Sequence, residues 1–179
     1  MGFLSKGLEM QAAHRSAVLG LGIGVFALAA DQLSKWLVLA DLRRHGGHIP
    51  LPGPVDLTLV LNQSNAFGVV PVHGEITRWA LILMSFIVAG FLIATLVRSV
   101  WSWSMAAAFG FIMAGALGNA FDRLEHGVVI DFIDASKIGF HWVFNIADVS
   151  IDLGIALFVW SMLKTQSPPR PGTISRPIP

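Results

Sequence analysis

The sequence predicts an all-α membrane protein, in which a bundle of four transmembrane helices carries a small extramembrane β-layer. Its 179 residues are 54% hydrophobic and only 13% charged, whereas an ordinary soluble domain is about 25% charged. The mean hydropathy is +0.68. Four stretches of the chain are apolar over about 20 residues, the length that a helix needs to cross the hydrocarbon core of a bilayer.

Charge and cysteine content exclude several classes of protein. Lys and Arg total 12 against 11 Asp and Glu, which gives a net charge of +1. With so small a net charge, the protein is not expected to have the strongly basic surface that binds nucleic acid. The chain contains no cysteine, which excludes disulfides, thiol catalysis, thiolate zinc sites and iron–sulfur clusters. Because a charged side chain is costly inside a membrane, each ionisable residue in the predicted helices requires a structural or functional explanation.

The four predicted helices differ in how clearly the pattern defines them. The second and third contain no charged residue and are separated by a short polar break at Arg98, so we expect a tight hairpin. The first follows Lys6 and Arg15 and also fits a cleavable signal peptide. Against that alternative, the apolar pattern resumes at Trp36. The predicted helices cover about residues 16–40, 79–97, 99–121 and 143–163.

The two longer loops, residues 41–77 and 123–142, both follow odd-numbered helices and so lie on one side of the membrane. Residues 55–61 partly alternate and residues 128–133 are rich in β-branched side chains, so we expect both loops to contribute strands to one layer. The proline-rich tail, residues 165–179, is predicted to be a disordered cytoplasmic segment. A weak excess of positive charge favours both termini inside, with the two loops outside.

Ionisable residues in the first and third helices have structural interpretations. Asp31 and Lys35 are four residues apart, so they can pair on one helix face. Asn119 and Arg123 have the same spacing at the end of the third helix, next to Asp122. Two alternatives remain open there: an interfacial cap with a snorkelling arginine, or hydrogen bonds that hold a neighbouring loop.

A second group of acidic residues predicts chemistry. Asn145, Asp148 and Asp152 share one face of the fourth helix, which we expect to face the bundle interior. A helix cap is the alternative for Asn145. Asp131 interrupts an apolar run, and the intervening loop can bring its carboxylate to Asp148. Asp134 is the competing carboxylate, but we expect it nearer water.

Two carboxylates held about 3 Å apart cannot both ionise, so the pair contains an acid and a base together. Hydrolysis of an amide by an activated water needs that combination. A metal site and a nucleophilic serine have little support, because the chain has no H-E-x-x-H and no G-x-S-x-G motif. The alternative of another class is a proton-coupled membrane carrier, since intramembrane carboxylates also build proton relays.

Four blocks of the sequence match a known pattern in order: residues 31–35 (DQLSK), 62–67 (NQSNAF), 115–123 with 129–132 (GALGNAFDR and VIDF) and 144–148 (FNIAD). With these blocks, the chain resembles the signal peptidase II family of lipoprotein signal peptidases, which are aspartic peptidases of the bacterial inner membrane. The resemblance extends over about residues 16–163, and its last two blocks are highly specific as a set. Residue Ser64 departs from the pattern, because the family has glycine there. An inactive relative that only binds lipoprotein precursors is therefore a further alternative.

The resemblance implies a site, a reaction and a location. Asp131 and Asp148 would be the catalytic pair, without a cofactor or a metal. The substrate would be a diacylglyceryl-modified prolipoprotein, cut on the amino side of the lipidated cysteine near the outer face of the cytoplasmic membrane. Membrane lipid and globomycin-type inhibitors would be further partners, and the protein would act as a monomer. The residues lining or supporting the site would be Asn62, Asn119, Arg123, Asn145 and Ala147.

Overall fold

A computed structural model describes residues 2–63 and 74–165. Within them, four helices are long and apolar enough to cross a membrane by length and composition. Together with a small antiparallel sheet, they confirm the predicted fold class. The tail predicted to be disordered lies outside the described residues from residue 166 onward. The helices are α1 (Gly2–Arg44), α2 (Glu75–Arg98), α3 (Trp103–Glu125) and α4 (Ile146–Thr165).

The first two helices are longer than the apolar pattern predicts. Helix α1 begins at Gly2 and ends at Arg44, where we expected residues 16–40. Helix α2 begins at Glu75, about one turn before the predicted start at residue 79. The prediction counted only apolar residues, but backbone hydrogen bonding continues through polar turns whose side chains can reach water. Helix α1 is continuous through the whole segment that also fitted a signal peptide.

The other two helices begin later than predicted because each has a defined start. Helix α3 begins at Trp103 instead of residue 99, since the Ser102 hydroxyl accepts a hydrogen bond from the Met105 N–H at 3.2 Å. Its last turn continues to Glu125, past the charged residues that we took as its end. Helix α4 begins at Ile146 instead of residue 143, because the residues before it form a strand.

The four-stranded antiparallel sheet has the strand order β1-β2-β3-β4. Its first two strands come from the loop after α1 and its last two from the loop after α3, which confirms the predicted layer built from both loops. Val60 pairs with Asp131, so the end of β2 lies beside this acidic residue in the centre of β3. The strands are β1 (His48–Ile49), β2 (Asp56–Asn62), β3 (Val129–Asp134) and β4 (Val143–Phe144).

Helix α3 is the central helix of the bundle and packs against the other three. Its small residues let neighbouring backbones approach closely. A Cβ atom at Gly115 would meet the Ala147 carbonyl oxygen, and it would lie 2.6 Å from the Ile151 side chain. A Cβ atom at Gly118 would meet the Asp31 carboxylate. The contact of α3 with α1 and α4 therefore depends on glycine at these positions.

A buried ion cluster connects α1 to α3. The Lys35 Nζ lies 2.8 Å from a carboxylate oxygen of Asp31 and 2.8 Å from one of Asp122, and all three side chains are at most 3% exposed. Asp31 also accepts a hydrogen bond from the Ala147 N–H at 2.8 Å, at the start of α4. Asp122 accepts one from the Ile130 N–H at 3.0 Å, at the start of β3. The cluster thus fixes α4 and β3 relative to the bundle.

Substituting Lys35→Met is expected to destabilise the protein strongly. It leaves the Asp31 and Asp122 carboxylates buried and uncompensated, which costs about 3–5 kcal/mol of unfolding free energy. Unfolding in detergent measures this loss, with Lys164→Met at the exposed end of α4 as the control. A Lys35→Met protein as stable as the control would show that the cluster is dispensable for the fold.

Substituting Gly115→Ala is expected to lower stability by about 1–3 kcal/mol, because the added methyl group forces α3 and α4 apart. The matched control is Gly90→Ala on α2, where an added Cβ meets nothing within 4 Å. Alanine favours the helix over glycine, so the control should be unchanged or up to about 1 kcal/mol more stable. Equal melting temperatures for the two variants in detergent would contradict the proposed close contact.

Candidate active site

Asp131 lies in the centre of β3 and is only 2% exposed. Each of its carboxylate oxygens accepts a hydrogen bond from a side-chain amide. The Asn145 Nδ2 donates to Oδ1 at 2.7 Å, and the Asn62 Nδ2 donates to Oδ2 at 2.9 Å. Asn62 reaches it because the two central strands, β2 and β3, pair at this point. A nearly inaccessible carboxyl group is therefore held by two neutral donors.

Asp148 lies in the first turn of α4, where it forms a reciprocal cap with Asn145. The Asn145 Oδ1 accepts a hydrogen bond from the Asp148 N–H at 2.9 Å, and the Asp148 carboxylate accepts one from the Asn145 N–H at 3.2 Å. The helix-cap alternative is thus correct for Asn145. The same residue also donates to Asp131, so Asn145 contacts both acidic residues.

Asn119 connects Asp148 to α3 and to the ion cluster. Its Nδ2 donates to the Asp148 Oδ1 at 2.8 Å. Its Oδ1 accepts hydrogen bonds from the Asn145 Nδ2 at 3.2 Å and from the Lys35 Nζ at 3.3 Å. Because these two partners are donors, they fix the orientation of the amide and leave its NH₂ group for Asp148.

The two acidic residues of β3 differ in their electrostatic surroundings. Burial raises the pKa of Asp131 from 3.8 to about 6, and the nearby charge of Asp148 acts in the same direction. Hydrogen bonds from the Ser136 side chain and backbone, with one from Thr58, lower the pKa of Asp134 to about 2. Asp134 therefore stays ionised, whereas Asp131 can hold a proton up to about pH 6.

The contacts at the end of α3 decide between an interfacial cap and hydrogen bonds to a neighbouring loop. Asp122 holds the neighbouring loop through the Ile130 N–H, as the hydrogen-bonding alternative predicted. Arg123 is half-buried, and its Nη1 donates to the Asn119 carbonyl oxygen of its own helix at 3.1 Å. Ala147 is fully buried and contributes its backbone N–H to Asp31.

One predicted position is wrong, and one lies outside the described residues. Asp152 was expected on the interior face of α4, but it is exposed, and it has no hydrogen bond or ion pair among the described residues. Helix α4 packs on α3 through Ala147, Ile151 and Gly154, so only part of the polar stripe turns inward. Ser64, the departure from the family pattern, lies outside the described residues.

The prediction of the site missed one side chain that holds it together. The Gln32 Nε2 donates to Asp122 at 3.2 Å and to the Gly118 carbonyl oxygen at 3.3 Å. A polar amide directly after Asp31, within a predicted membrane helix that is mostly apolar, was the available signal. Within residues 2–63 and 74–165, no three His or acidic side chains are grouped so that they could hold a metal ion.

The arrangement can transfer protons without a metal. A carboxyl group that keeps its proton up to about pH 6, beside a second and more accessible carboxylate, can donate and accept protons at one bound molecule. Asp148 is half-buried, whereas Asp131 is almost fully buried, so a bound molecule would approach from the Asp148 side.

Comparisons with known proteins identify the family. A family model described as signal peptidase (SPase) II matches residues 23–164. A lipoprotein signal peptidase of Azoarcus sp. (strain BH72) is 35% identical over 161 residues, which cover 87% of this chain and 91% of the relative. The lipoprotein signal peptidase of Caulobacter vibrioides is 39% identical over 147 residues, covering 81% and 86%.

Solved structures agree with the sequence relatives. A structure described as a bacterial membrane enzyme at 2.3 Å resolution superimposes with a TM-score of 0.72 at 26% identity, covering 87% of this chain and 93% of that one. A second such structure, at 1.9 Å, gives a TM-score of 0.69 at 28% identity, covering 81% and 92%. The chain therefore belongs to the signal peptidase II family, as a multi-pass membrane protein with a signal peptidase II function.

Proposed function

We propose that this protein is an aspartic endopeptidase that removes the signal peptide from diacylglyceryl-modified prolipoproteins, cutting on the amino side of the lipidated cysteine. Its relatives are named lipoprotein signal peptidases, which supports the class of substrate. The observation that carries the proposed chemistry is the double contact of Asn145, which hydrogen-bonds to both Asp131 and Asp148. We assign these two acidic residues as the catalytic pair.

The pair divides the work of hydrolysis between its members. The ionised carboxylate takes a proton from a water molecule, and the oxygen of that water attacks the scissile carbonyl carbon. The protonated carboxyl group gives its proton to the carbonyl oxygen. The tetrahedral intermediate then collapses and the C–N bond breaks. The proton taken from water goes to the leaving amine, and a hydroxyl group of the intermediate returns a proton to the carboxylate that had protonated the carbonyl oxygen, which restores the pair. Because the two groups titrate as a unit, the single proton belongs to the pair and not to either residue.

The surroundings of the pair support this protonation state. Its side-chain donors are the amides of Asn62, Asn119 and Asn145, which are neutral and do not force both carboxylates to ionise. The nearby ammonium group of Lys35 is already paired with two other carboxylates. We assign the three asparagines, with Arg123 and Ala147, to supporting or substrate-binding roles.

The position of the site suits a substrate that is anchored in a bilayer. Asp148 is in the first turn of a membrane helix, and Asp131 is in the adjoining sheet, so the pair lies at one end of the bundle. We propose that this end is the outer face of the bacterial inner membrane, with both termini in the cytoplasm. The enzyme acts as a monomer, membrane lipid surrounds it, and globomycin-type inhibitors compete for the site.

Asp131→Asn and Asp148→Asn are each expected to lower cleavage of a lipidated precursor by roughly 10²–10⁴-fold, because each removes one of the two proton-transfer groups. The matched control is Asp152→Asn, which changes an exposed acidic residue about one turn along α4 and should leave cleavage unchanged. A gel-shift assay with purified protein in detergent measures the product, and melting temperatures verify that each variant is folded.

Several outcomes would refute this assignment. Full activity of either variant would exclude the pair. Inhibition by a chelator that added zinc reverses would indicate a metal peptidase. Proton-dependent flux in proteoliposomes, with no change in added prolipoprotein, would favour the carrier alternative. Binding of the precursor without turnover would favour the inactive relative.

The raised pKa of Asp131 predicts a dependence of stability on pH. The pKa is about 6 in the folded protein against 3.8 for a free side chain, so the folded protein keeps this proton over a range in which the unfolded chain loses it. The stabilisation is complete below about pH 4 and is lost as the pH rises through about 6, at most about 3 kcal/mol in total. The Asp131→Asn variant has no carboxyl group at this position, so its stability does not fall in this way as the pH rises.

Unfolding of the wild type and of Asp131→Asn in detergent, compared between pH 4 and 7, measures this effect. The variant should become more stable relative to the wild type as the pH rises. A stability difference that stays constant over this range would show that the carboxyl group titrates normally.

A further inference from the structure

A cavity of about 350 Å³ lies beside the proposed catalytic pair, on the side of the sheet. It is enclosed by the start of α2, the end of α3, the end of β2 and the residues just before β3. Asn62 belongs to its wall and also donates to Asp131. The cavity is therefore next to the site without containing either carboxylate. Its charged lining residues are Glu75, Arg78 and Arg123.

The guanidinium group of Arg78, in the wall of this cavity, has one hydrogen-bond donor without an acceptor among the described residues. Its Nη2 lies 2.8 Å from a Glu75 carboxylate oxygen, and its guanidinium carbon is 5.2 Å from the centroid of the Trp79 ring. Its Nε–H is buried and has no hydrogen-bond partner among the described residues. A buried donor without an acceptor costs free energy, because its lost hydration is not replaced by a hydrogen bond. An oxygen acceptor that drew the Nε–Nη edge of Arg78 towards the cavity would remove this cost.

The remaining contacts leave Arg78 free to make that exchange. Glu75 is 70% exposed on its side chain, so its ion pair with Arg78 is worth little. Arg123, which also lines the cavity, donates through Nη1 to its own helix. Two guanidinium groups against one exposed carboxylate give the cavity an excess of donors and of positive charge. The cavity is thus suited to carbonyl or anionic oxygen atoms.

The topology indicates which part of a substrate supplies those oxygens. The signal segment precedes the scissile bond and remains in the bilayer, along the membrane helices. The cavity lies beyond the pair, among elements that belong to the extramembrane layer or to the helix ends next to it. A chain that enters from the membrane and passes Asp131 and Asp148 would reach Asn62 and Arg78 next, because Asn62 both contacts Asp131 and lines the cavity.

We propose that this cavity binds the main chain of the precursor on the carboxyl side of the lipidated cysteine, and that Arg78 and Arg123 donate to its carbonyl oxygens. This inference rests on the proposed function, because it assumes the same scissile bond. It assigns a substrate-binding role to Arg78, a residue outside the blocks that the family resemblance matched.

The test uses two precursors with the same signal segment and the same diacylglyceryl cysteine. One ends at the cysteine as a carboxamide, and the other continues for several neutral residues. Wild-type protein is expected to have a lower KM for the extended precursor. Arg78→Met should raise KM for the extended precursor about tenfold, the loss of one hydrogen bond to a charged donor. It should leave kcat, and KM for the short precursor, unchanged.

Two further variants keep the result interpretable. Arg78→Lys retains the charge that pairs with Glu75 but lacks the Nε–Nη edge, and it should show the same selective rise in KM. Arg98→Met, at the far end of α2, should leave KM unchanged for both precursors. Melting temperatures in detergent establish that each variant is folded. Each KM is measured in both anionic phosphatidylglycerol and zwitterionic phosphatidylcholine.

Each contrary outcome has a distinct meaning. Equal effects of Arg78→Met on both precursors, or no effect on either, would overturn the inference. A rise in KM that depends on the lipid headgroup and not on the length of the precursor would also overturn it, because the cavity would then hold a lipid phosphate. Wild-type protein that cleaves both precursors with the same KM refutes only this inference. Wild-type protein that cleaves neither refutes the proposed function, and this inference with it.

Discussion

The position of Lys35 between two carboxylates is the interaction on which the rest of the site depends. Its ammonium group contacts Asp31 and Asp122 in a part of the protein that water hardly reaches. Each of these carboxylates also accepts a backbone N–H from an element outside its own helix, the start of α4 in one case and the start of β3 in the other. The cluster around one cation therefore fixes the start of α4 and the start of β3, which carry the proposed catalytic pair, relative to the bundle.

This cluster also protects the electrostatics of the neighbouring pair. An unpaired lysine close to two carboxylates would favour their ionised forms and remove the proton that the proposed mechanism needs. Here the ammonium group is matched by two carboxylates of its own, and a hydrogen-bonded connection joins it to the pair through the Asn119 side chain. The side-chain donors to Asp131 are amides, and burial then raises the pKa of this carboxyl group. The salt bridges of Lys35 are thus formed with carboxylates outside the pair to which we assign proton transfer.

Local pattern predicted some features of the site well and others poorly. The four-residue spacing of Asp31 and Lys35 was sufficient to predict their contact, since one helix face determines it. The same reasoning failed for Asp152, because helical periodicity defines a face but not the neighbour against which that face packs. It also missed the donation from Gln32 to Asp122, because that contact joins residues of different helices.

The sequence by itself determined the number of membrane helices, the two strand-forming loops and the acidic residues that require an explanation. These features follow from segment length, apolar content and the energetic cost of charge in a membrane, all of which are local. Only the tertiary structure decided that Asn145 contacts Asp131 and Asp148 together, and that Arg78 lines a cavity beside them. Such contacts join residues distant in the chain, and their geometry depends on how closely α3 and α4 pack and on the register of β2 against β3.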